Sequence, residues 1–302
     1  MSTNPDFQAS EADCCGNGCS NCILDTIPTK ITKTNLQDKV NILLCYRPYQ
    51  LLERLEIKGN ILQMHFKCIR GTADADSILY VPPGHHVMMQ APNNEASNSK
   101  TEAVASSYVT RPYSPFWSDV EQLEFKILVN IAPNGFMSKY IQQLSVGDEV
   151  FFRGPVGSFR HNPKSYGNVL LFCHGVAIAP ILAIIKDILN DDEDVTRIKL
   201  FACFENLEKI LFRDELHELN GYWNFRSRIY LSRPEEDFHK KLKYKENVVG
   251  GRLNGEELRT ILTEFKDLQS IKCVICGSKP FQENLKQMLL ERGLEENAVD
   301  IL

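Results

Sequence analysis

Between residues 40 and 160, apolar and polar residues alternate in short runs that turn residues separate. Residues 60–69 and 123–129 alternate with a period of two, which is typical of strands with one buried face. Pro82-Pro83-Gly84 and Gly147-Asp148 are turn sequences. The pattern predicts a small antiparallel β-barrel with one short helix over 137–144 and a polar loop over 90–105.

After residue 168 the pattern changes to strand, turn and helix in repetition. The predicted strands cover 169–174, 198–204, 226–231 and 271–276, and the predicted helices cover 179–189, 205–219, 254–265 and 279–291. Apolar strands that alternate with helices predict βαβ units and a parallel sheet covered on both faces. Ligands bind such sheets at the carboxyl ends of the strands.

The length of 302 residues favours two domains. We predict an N-terminal segment over 1–38, a barrel domain over 39–162 and an α/β domain over 163–302. No apolar run approaches the ~18 residues of a membrane span, and the polar start lacks a targeting signal. We therefore expect a soluble cytoplasmic protein without an integral membrane segment. The net charge of −5 argues against nucleic acid as a partner.

Four of the ten cysteines lie close together near the N-terminus. Cys14, Cys15, Cys19 and Cys22 offer enough thiolates for a zinc ion or an iron–sulfur cluster. Redox-active or merely exposed thiols are the alternatives. Other cysteines lie inside apolar strands, where we expect buried thiols in a reducing compartment.

Two motifs in the barrel region suit a phosphate-bearing cofactor. In Arg111-Pro112-Tyr113-Ser114, alternate side chains place a guanidinium and a phenol on one face of a strand. Residues 134–138, Asn-Gly-Phe-Met-Ser, open a helix whose free N–H groups and dipole favour a phosphate. A surface turn and an ordinary capped helix are the alternatives.

Two further motifs follow strands of the α/β region. Residues 174–180, His-Gly-Val-Ala-Ile-Ala-Pro, connect a buried strand to a helix, and such a turn binds phosphate when it is rich in glycine. Cys276-Gly277-Ser278-Lys279-Pro280 ends the last long strand, where the thiol faces the ligand crevice unless it is simply buried.

In this order, the motifs RPYS, NGFMS, RGPVG, the turn ending in IAP and CGSKP resemble the ferredoxin reductase superfamily, and within it the NADH-cytochrome b5 reductases. The resemblance covers residues 40 to about 295. It implies an FAD-binding barrel followed by a Rossmann-like domain that binds NADH or NADPH. The cysteine tail resembles an "oxidoreductase-like" N-terminal segment of other proteins.

The resemblance also implies roles for individual residues. Arg111 would contact the FAD pyrophosphate, and Tyr113 the isoalloxazine and ribityl chain. The FAD set is completed by Pro112, Ser114, Lys126, Gly135, Phe136, Met137 and Ser138. The nucleotide set comprises Gly175, Val176, Ala177, Ala179, Pro180 and Gly277, with Cys276 as the catalytic candidate beside the nicotinamide.

The chain departs from the family pattern in both nucleotide motifs. The family's GGTG is replaced by His174-Gly175-Val176-Ala177, and its CGPPPM by residues 276–281, Cys-Gly-Ser-Lys-Pro-Phe. These changes remove a threonine hydroxyl, add a methyl group and add a positive charge. Nicotinamide binding or hydride transfer is therefore expected to be weakened.

Two hypotheses of function follow. In the first, the chain is an NAD(P)H-dependent FAD reductase of cytochrome b5 reductase type. It passes single electrons to a haem protein such as cytochrome b5, with peripheral contact if that acceptor lies in a membrane. In the second, it is a flavin-binding interaction or sensor module with impaired nucleotide turnover.

At the end of the third parallel strand, Ser232-Arg233 stand where NADH enzymes of the family have an acidic residue, and this pair favours the 2′-phosphate of NADPH. The alternative is that Arg233 points to solvent.

Overall fold

The computed structural model describes residues 39–71, 74, 76–93, 108–163 and 165–302. The chain divides into two compact units between Ser158 and Phe159. The predicted limits of 39–162 and 163–302 place this division four residues later.

The first unit is built on antiparallel strands. Its elements are β1 (Val40–Asn41), β2 (Arg47–Lys58), β3 (Ile61–Cys68), β4 (Ser77–Ile78), β5 (His86–Pro92), β6 (Tyr108–Tyr113), β7 (Pro115–Asp119), β8 (Glu124–Asn130), α1 (Phe136–Gln143) and β9 (Glu149–Val156). Seven of the strands form one antiparallel sheet in the order β6-β5-β9-β2-β3-β8-β7. The strand β3 alternates buried and partly exposed residues from Leu62 to Cys68, which confirms the period of two.

Four aromatic side chains form the centre of this unit. Tyr49, Phe66, Phe125 and Phe152 are fully buried, on four different strands. Their ring centroids lie 4.8–5.7 Å apart, mostly in tilted or edge-to-face pairs. Such pairs stabilise a core beyond the burial of their area.

The second unit is built on parallel strands. Its elements are β10 (Asn168–His174), α2 (Ile178–Asn190), β11 (Arg197–Phe204), α3 (Arg213–Leu219), β12 (Phe225–Leu231), β13 (Val248–Gly250), α4 (Gly255–Thr263), β14 (Ile271–Cys276), α5 (Lys279–Leu290) and β15 (Val299–Ile301). The six strands are parallel in the order β13-β12-β11-β10-β14-β15. The two sheets confirm the predicted fold class, an antiparallel β domain followed by an α/β domain with a parallel sheet.

Both faces of the parallel sheet are covered. Leu170 and Phe172 pack with side chains of α4 and α5 on one face. The alternate residues of β10 are equally buried, and α2 contacts β10 and β14. Burial on both faces explains why these strands are continuous apolar runs in the sequence.

The predicted helix over 205–219 is wrong in its first half. A 3₁₀ helix covers Leu207–Lys209, and α3 begins only at Arg213. Asn206 accepts a bond from Lys209 N at 3.0 Å, and Phe212 has the left-handed φ of 54°. The Asn206 cap and the left-handed residue therefore interrupt the helix, although the residues between them are good helix formers.

We expect Phe152→Ala to lower the free energy of unfolding of the first unit by about 3–5 kcal/mol, because it leaves a cavity and removes ring contacts. Urea unfolding would be followed by the fluorescence of Trp117 in a Trp223→Phe background, since the chain has two tryptophans. The neighbouring Phe151→Ala is the control, because Phe151 is 43% exposed. Equal effects of the two substitutions would contradict the aromatic core.

Candidate functional site

Arg111 and Tyr113 lie at the end of the edge strand β6. They pair in register with Met89 and Val87 of β5, so their side chains share one face. Tyr113 packs against the core, and burial raises the pKa of its phenol. The Arg111 Nη1 donates to Thr110 O at 2.7 Å, and no carboxylate among the described residues forms an ion pair with Arg111. A partly buried guanidinium without a carboxylate partner fits a phosphate ligand.

The helix α1 begins beside this strand. It packs against β6, and its N-cap Gly135 supplies no side-chain cap to the first turn. The first turn contains no acidic residue. The first N–H groups of the helix therefore remain free of intrahelical partners, next to the strand that carries Arg111.

Ser138 has a structural bond that the sequence did not suggest. Its Oγ accepts a hydrogen bond from Ala132 N at 3.0 Å, and the residue is buried. An added Cβ at Gly135 would lie 3.1 Å from this oxygen, so glycine lets the turn close tightly. The hydroxyl therefore holds the turn before α1, and its proton remains to be donated.

Lys126 lies on β8 in a cluster of aromatic and charged side chains. Its ammonium is 5.2 Å from the centroid of the Trp117 ring, which is itself 5.6 Å from the His65 ring. His65 Nε2 lies 3.0 Å from Glu124 Oε2. The contact partner of Lys126 in this structure is thus an aromatic ring of its own unit.

The centre of the second unit contains a topological switch point. From β10 the chain proceeds outward through β11, β12 and β13, and it then returns to place β14 on the other side of β10. In such sheets the gap at the carboxyl ends of the two central strands binds ligands. The residues Gly175–Ala177 form a 3₁₀ helix at the end of β10, and Ala179 and Pro180 are buried in the first turn of α2. Gly175 has a φ of 55°, a conformation that favours glycine.

His174 joins the two strand ends at this switch point. Its Nε2 accepts a bond from Ser278 N at 2.8 Å and lies 3.2 Å from Ser278 Oγ. Its ring contacts Phe281 edge-to-face at 4.9 Å. Burial lowers the pKa of His174, which keeps the ring neutral and Nε2 able to accept.

Cys276 ends β14 directly beside Cys173 of β10. Burial raises the pKa of the Cys276 thiol to about 12. At neutral pH the group is therefore a thiol and a weak nucleophile, and what it can offer a bound ring is contact.

At the end of β12, the carboxylate of Glu205 lies beside the predicted Ser-Arg pair. Ser232 is exposed, and the Arg233 side chain is 76% exposed with Nη1 3.4 Å from Glu205 Oε1. Glu205 also pairs with Lys209, and this bond lowers the pKa of its carboxyl. Arg233 is thus partly exposed to solvent and partly paired, so a phosphate ligand would compete with Glu205.

The tail cysteines Cys14, Cys15, Cys19 and Cys22 lie outside the described residues, and the hypothesis of a metal or iron–sulfur cluster there stays a prediction. Within the described part of the chain, no three or more His, Cys, Asp or Glu side chains are grouped so that they could hold a metal ion. No helix in the described ranges is both long and apolar enough to cross a membrane.

Two family models match the chain in succession. The model of the oxidoreductase FAD-binding domain matches residues 48–161, and that of the oxidoreductase NAD-binding domain matches residues 171–287. The chain belongs to the family of oxidoreductases in which an FAD-binding domain precedes an NAD-binding domain.

Relatives with a more specific name match over nearly the whole chain. The "NADH-cytochrome b5 reductase-like" protein of Mus musculus is 26% identical, with 95% of this chain and 92% of the relative covered. The Homo sapiens protein of the same name is 25% identical over 95% and 91%. NADH-cytochrome b5 reductase 1 of Dictyostelium discoideum is 32% identical over 58% of this chain and 56% of its own length. The chain is therefore an FAD- and NAD-binding oxidoreductase homologous to NADH-cytochrome b5 reductases.

Solved structures agree on the fold. The cytochrome b5 reductase domain of Ulva prolifera nitrate reductase has a TM-score of 0.69 at 20% identity, with 87% of this chain and 99% of that chain covered. A ferredoxin NADP⁺ reductase from Neisseria gonorrhoeae has a TM-score of 0.64 at 16% identity, over 85% and 98%. The ferredoxin reductase architecture that the motifs predict is confirmed.

Sequence reasoning missed two residues at these sites. Glu205 follows β11 and reaches Arg233 only because β11 and β12 are neighbours. His174 reaches Ser278 across 104 positions of the chain. The one signal in the sequence was a histidine where the family motif has glycine.

Proposed function

We propose that this oxidoreductase takes hydride from a reduced nicotinamide nucleotide and passes electrons singly to an acceptor protein, as an NADH-cytochrome b5 reductase does. The observation that carries the proposal is the succession of FAD- and NAD-binding domains in a chain whose relatives over nearly the full length are named for that reaction. FAD supplies the redox chemistry when bound, because it accepts hydride and releases electrons one at a time. A haem protein such as cytochrome b5 is the proposed acceptor.

In this proposal Arg111 binds the FAD pyrophosphate together with the N-terminus of α1. The packing of α1 against β6 supports this role, as does the lack of a carboxylate partner for the guanidinium among the described residues. Tyr113 and Ser114 complete the contact from the strand end. The buried phenol of Tyr113 keeps its proton and can donate to a polar group of the cofactor. Lys126 is a further cofactor contact in this proposal, provided that its ammonium leaves Trp117.

The nucleotide is proposed to bind at the switch point of the parallel sheet. Residues 175–180 border it from β10, and Cys276 and Gly277 border it from β14. The neutral thiol of Cys276 supports a contact role beside the nicotinamide. The residues fit a dinucleotide because the two strand ends lie side by side and each leads into the first turn of a helix.

A second candidate function is a flavin-binding interaction or sensor module with impaired nucleotide turnover. The observation in its favour is the imidazole of His174, which lies against Gly277 where a flat ring would have to approach.

As to location, we propose a soluble cytoplasmic protein with peripheral membrane contact. One relative, from Saccharomyces cerevisiae, is named a plasma membrane-associated coenzyme Q6 reductase.

The two functions differ in what nucleotides do to the purified protein. For the reductase we expect a yellow protein that NADH or NADPH bleaches within seconds under anaerobic conditions, followed by reduction of cytochrome b5. A yellow protein that both nucleotides leave oxidised would refute the reductase and support the module. Absorbance in stopped-flow separates the outcomes.

We expect Arg111→Ala to bind FAD at least tenfold more weakly, because a charge-assisted contact to pyrophosphate is worth about 1.5–3 kcal/mol. The protein would purify pale, and ultrafiltration with flavin absorbance would give the FAD content. Arg54→Ala on β2 is a control arginine outside the proposed site. Full FAD content in the Arg111 variant, with unchanged dissociation on dilution, would overturn the assignment.

The end of β12 predicts which nucleotide is used. We expect NADPH to serve at least as well as NADH, because Ser232 and Arg233 offer a hydroxyl and a guanidinium to the 2′-phosphate. Ser232→Asp should shift the ratio of kcat/KM values toward NADH by about tenfold or more, because the new carboxylate would repel the 2′-phosphate of NADPH. The Glu205→Gln variant should shift it toward NADPH by freeing Arg233. A wild-type preference for NADH above about a hundredfold, with ferricyanide as acceptor, would rule out the NADPH assignment.

A further inference from the structure

The carboxyl ends of β10 and β14 are bridged by one side chain. Cys173 and Cys276 pair in register, so the next residues, His174 and Gly277, lie side by side at the mouth of the switch point. An ideal Cβ at Gly277 would lie 2.5 Å from His174 Cδ2 and 2.8 Å from Phe281 Cδ1. The surface that glycine leaves open is therefore covered by the imidazole and the phenyl ring.

The same imidazole accepts a hydrogen bond from the backbone N–H of Ser278, a donor that a bound ligand could otherwise use. Ser278 is the N-cap of α5 and makes no side-chain cap bond, and its N–H donates to His174 Nε2 at 2.8 Å. A carboxamide oxygen accepts hydrogen bonds, as the unprotonated ring nitrogen of histidine does. A flat ring bearing a carboxamide, placed on Gly277, would compete with His174 for both the surface and the donor.

We infer that His174 is an intramolecular competitor of the nicotinamide ring and so sets how tightly the nicotinamide half of the nucleotide binds. The inference rests on the proposed function, because it takes the switch point as the nicotinamide site. A nucleotide that lacks nicotinamide has nothing to displace. The imidazole leaves by rotation of its own side chain, at the cost of the Ser278 bond and the Phe281 contact.

The inference makes a prediction for ligands with and without the ring. Removing the imidazole should tighten NAD⁺ binding by about tenfold or more, because one hydrogen bond and one aromatic contact no longer have to be broken. Binding of ADP-ribose should stay within about twofold. A structural role of His174 in ordering the loop after β14 would instead weaken the binding of NAD⁺.

The test is isothermal titration of the oxidised, FAD-loaded full chain with NAD⁺, NADP⁺ and ADP-ribose. His174→Ala and His174→Gly remove the ring, and the alanine variant keeps a Cβ in case the glycine variant does not fold. His174→Gln retains an acceptor for the Ser278 N–H but lacks the ring that contacts Phe281, so its NAD⁺ affinity should lie between those of the wild type and His174→Ala. His217→Ala is the matched control, because it removes an imidazole in the last turn of α3, outside the switch-point residues, and it should change NAD⁺ binding by no more than about twofold.

Two failures would be distinguishable. If ADP-ribose and NAD⁺ bind but His174→Ala leaves NAD⁺ unchanged or weaker, the competitor role is overturned and the proposed function stands. If neither NAD⁺, NADP⁺ nor ADP-ribose binds to the wild type or any variant, and NADH and NADPH leave the flavin oxidised, the proposed function fails. A His217→Ala variant that tightens NAD⁺ binding as His174→Ala does would also overturn the inference, because the effect would then not depend on the ring that covers Gly277.

Discussion

The second unit, which carries the NAD-binding domain, depends on a constraint of topology. The strands β10 and β14 are neighbours in the sheet although 96 residues lie between the end of β10 at His174 and the start of β14 at Ile271. The chain leaves β10 in one direction and reaches β14 from the other, and this order of strands is the one that opens a crevice at their carboxyl ends. Helices start just beyond both ends, so the positive ends of their dipoles lie at the crevice. The candidate nucleotide site follows from this arrangement.

The first unit, which carries the FAD-binding domain, is constrained differently. Its edge strand β6 has to be fixed in place while the polar end of that strand stays accessible. The four central rings pack the strands β2, β3, β8 and β9 into a rigid interior. The edge strand β6 is fixed by pairing with β5 on one side and by packing of α1. Arg111 is thus positioned by the backbone, whereas its guanidinium keeps donors available.

Electrostatics at the nucleotide unit are set by partners from different strands. Neutral His174 is held by burial and by a backbone donor, and Cys276 is kept as a thiol by burial. Arg233 is divided between solvent and Glu205. A ligand at the switch point or at the end of β12 therefore meets groups that already have partners. Its binding free energy is the difference between the free energies of the new contacts and of those it displaces.

Much of the architecture was determined by the sequence itself. The period of two in β3 and the continuous apolar runs of β10 and β14 are consequences of burial on one or two sheet faces, so they are visible without coordinates. The order of the motifs identified the family. The interruption between Glu205 and Arg213 was not predictable, because the Asn206 cap and the left-handed Phe212 override local helix propensity. Only the tertiary structure decided that His174 covers Gly277 and bonds Ser278, and that Glu205 meets Arg233. Those contacts join residues on separate strands, and a one-dimensional pattern contains no distance between them.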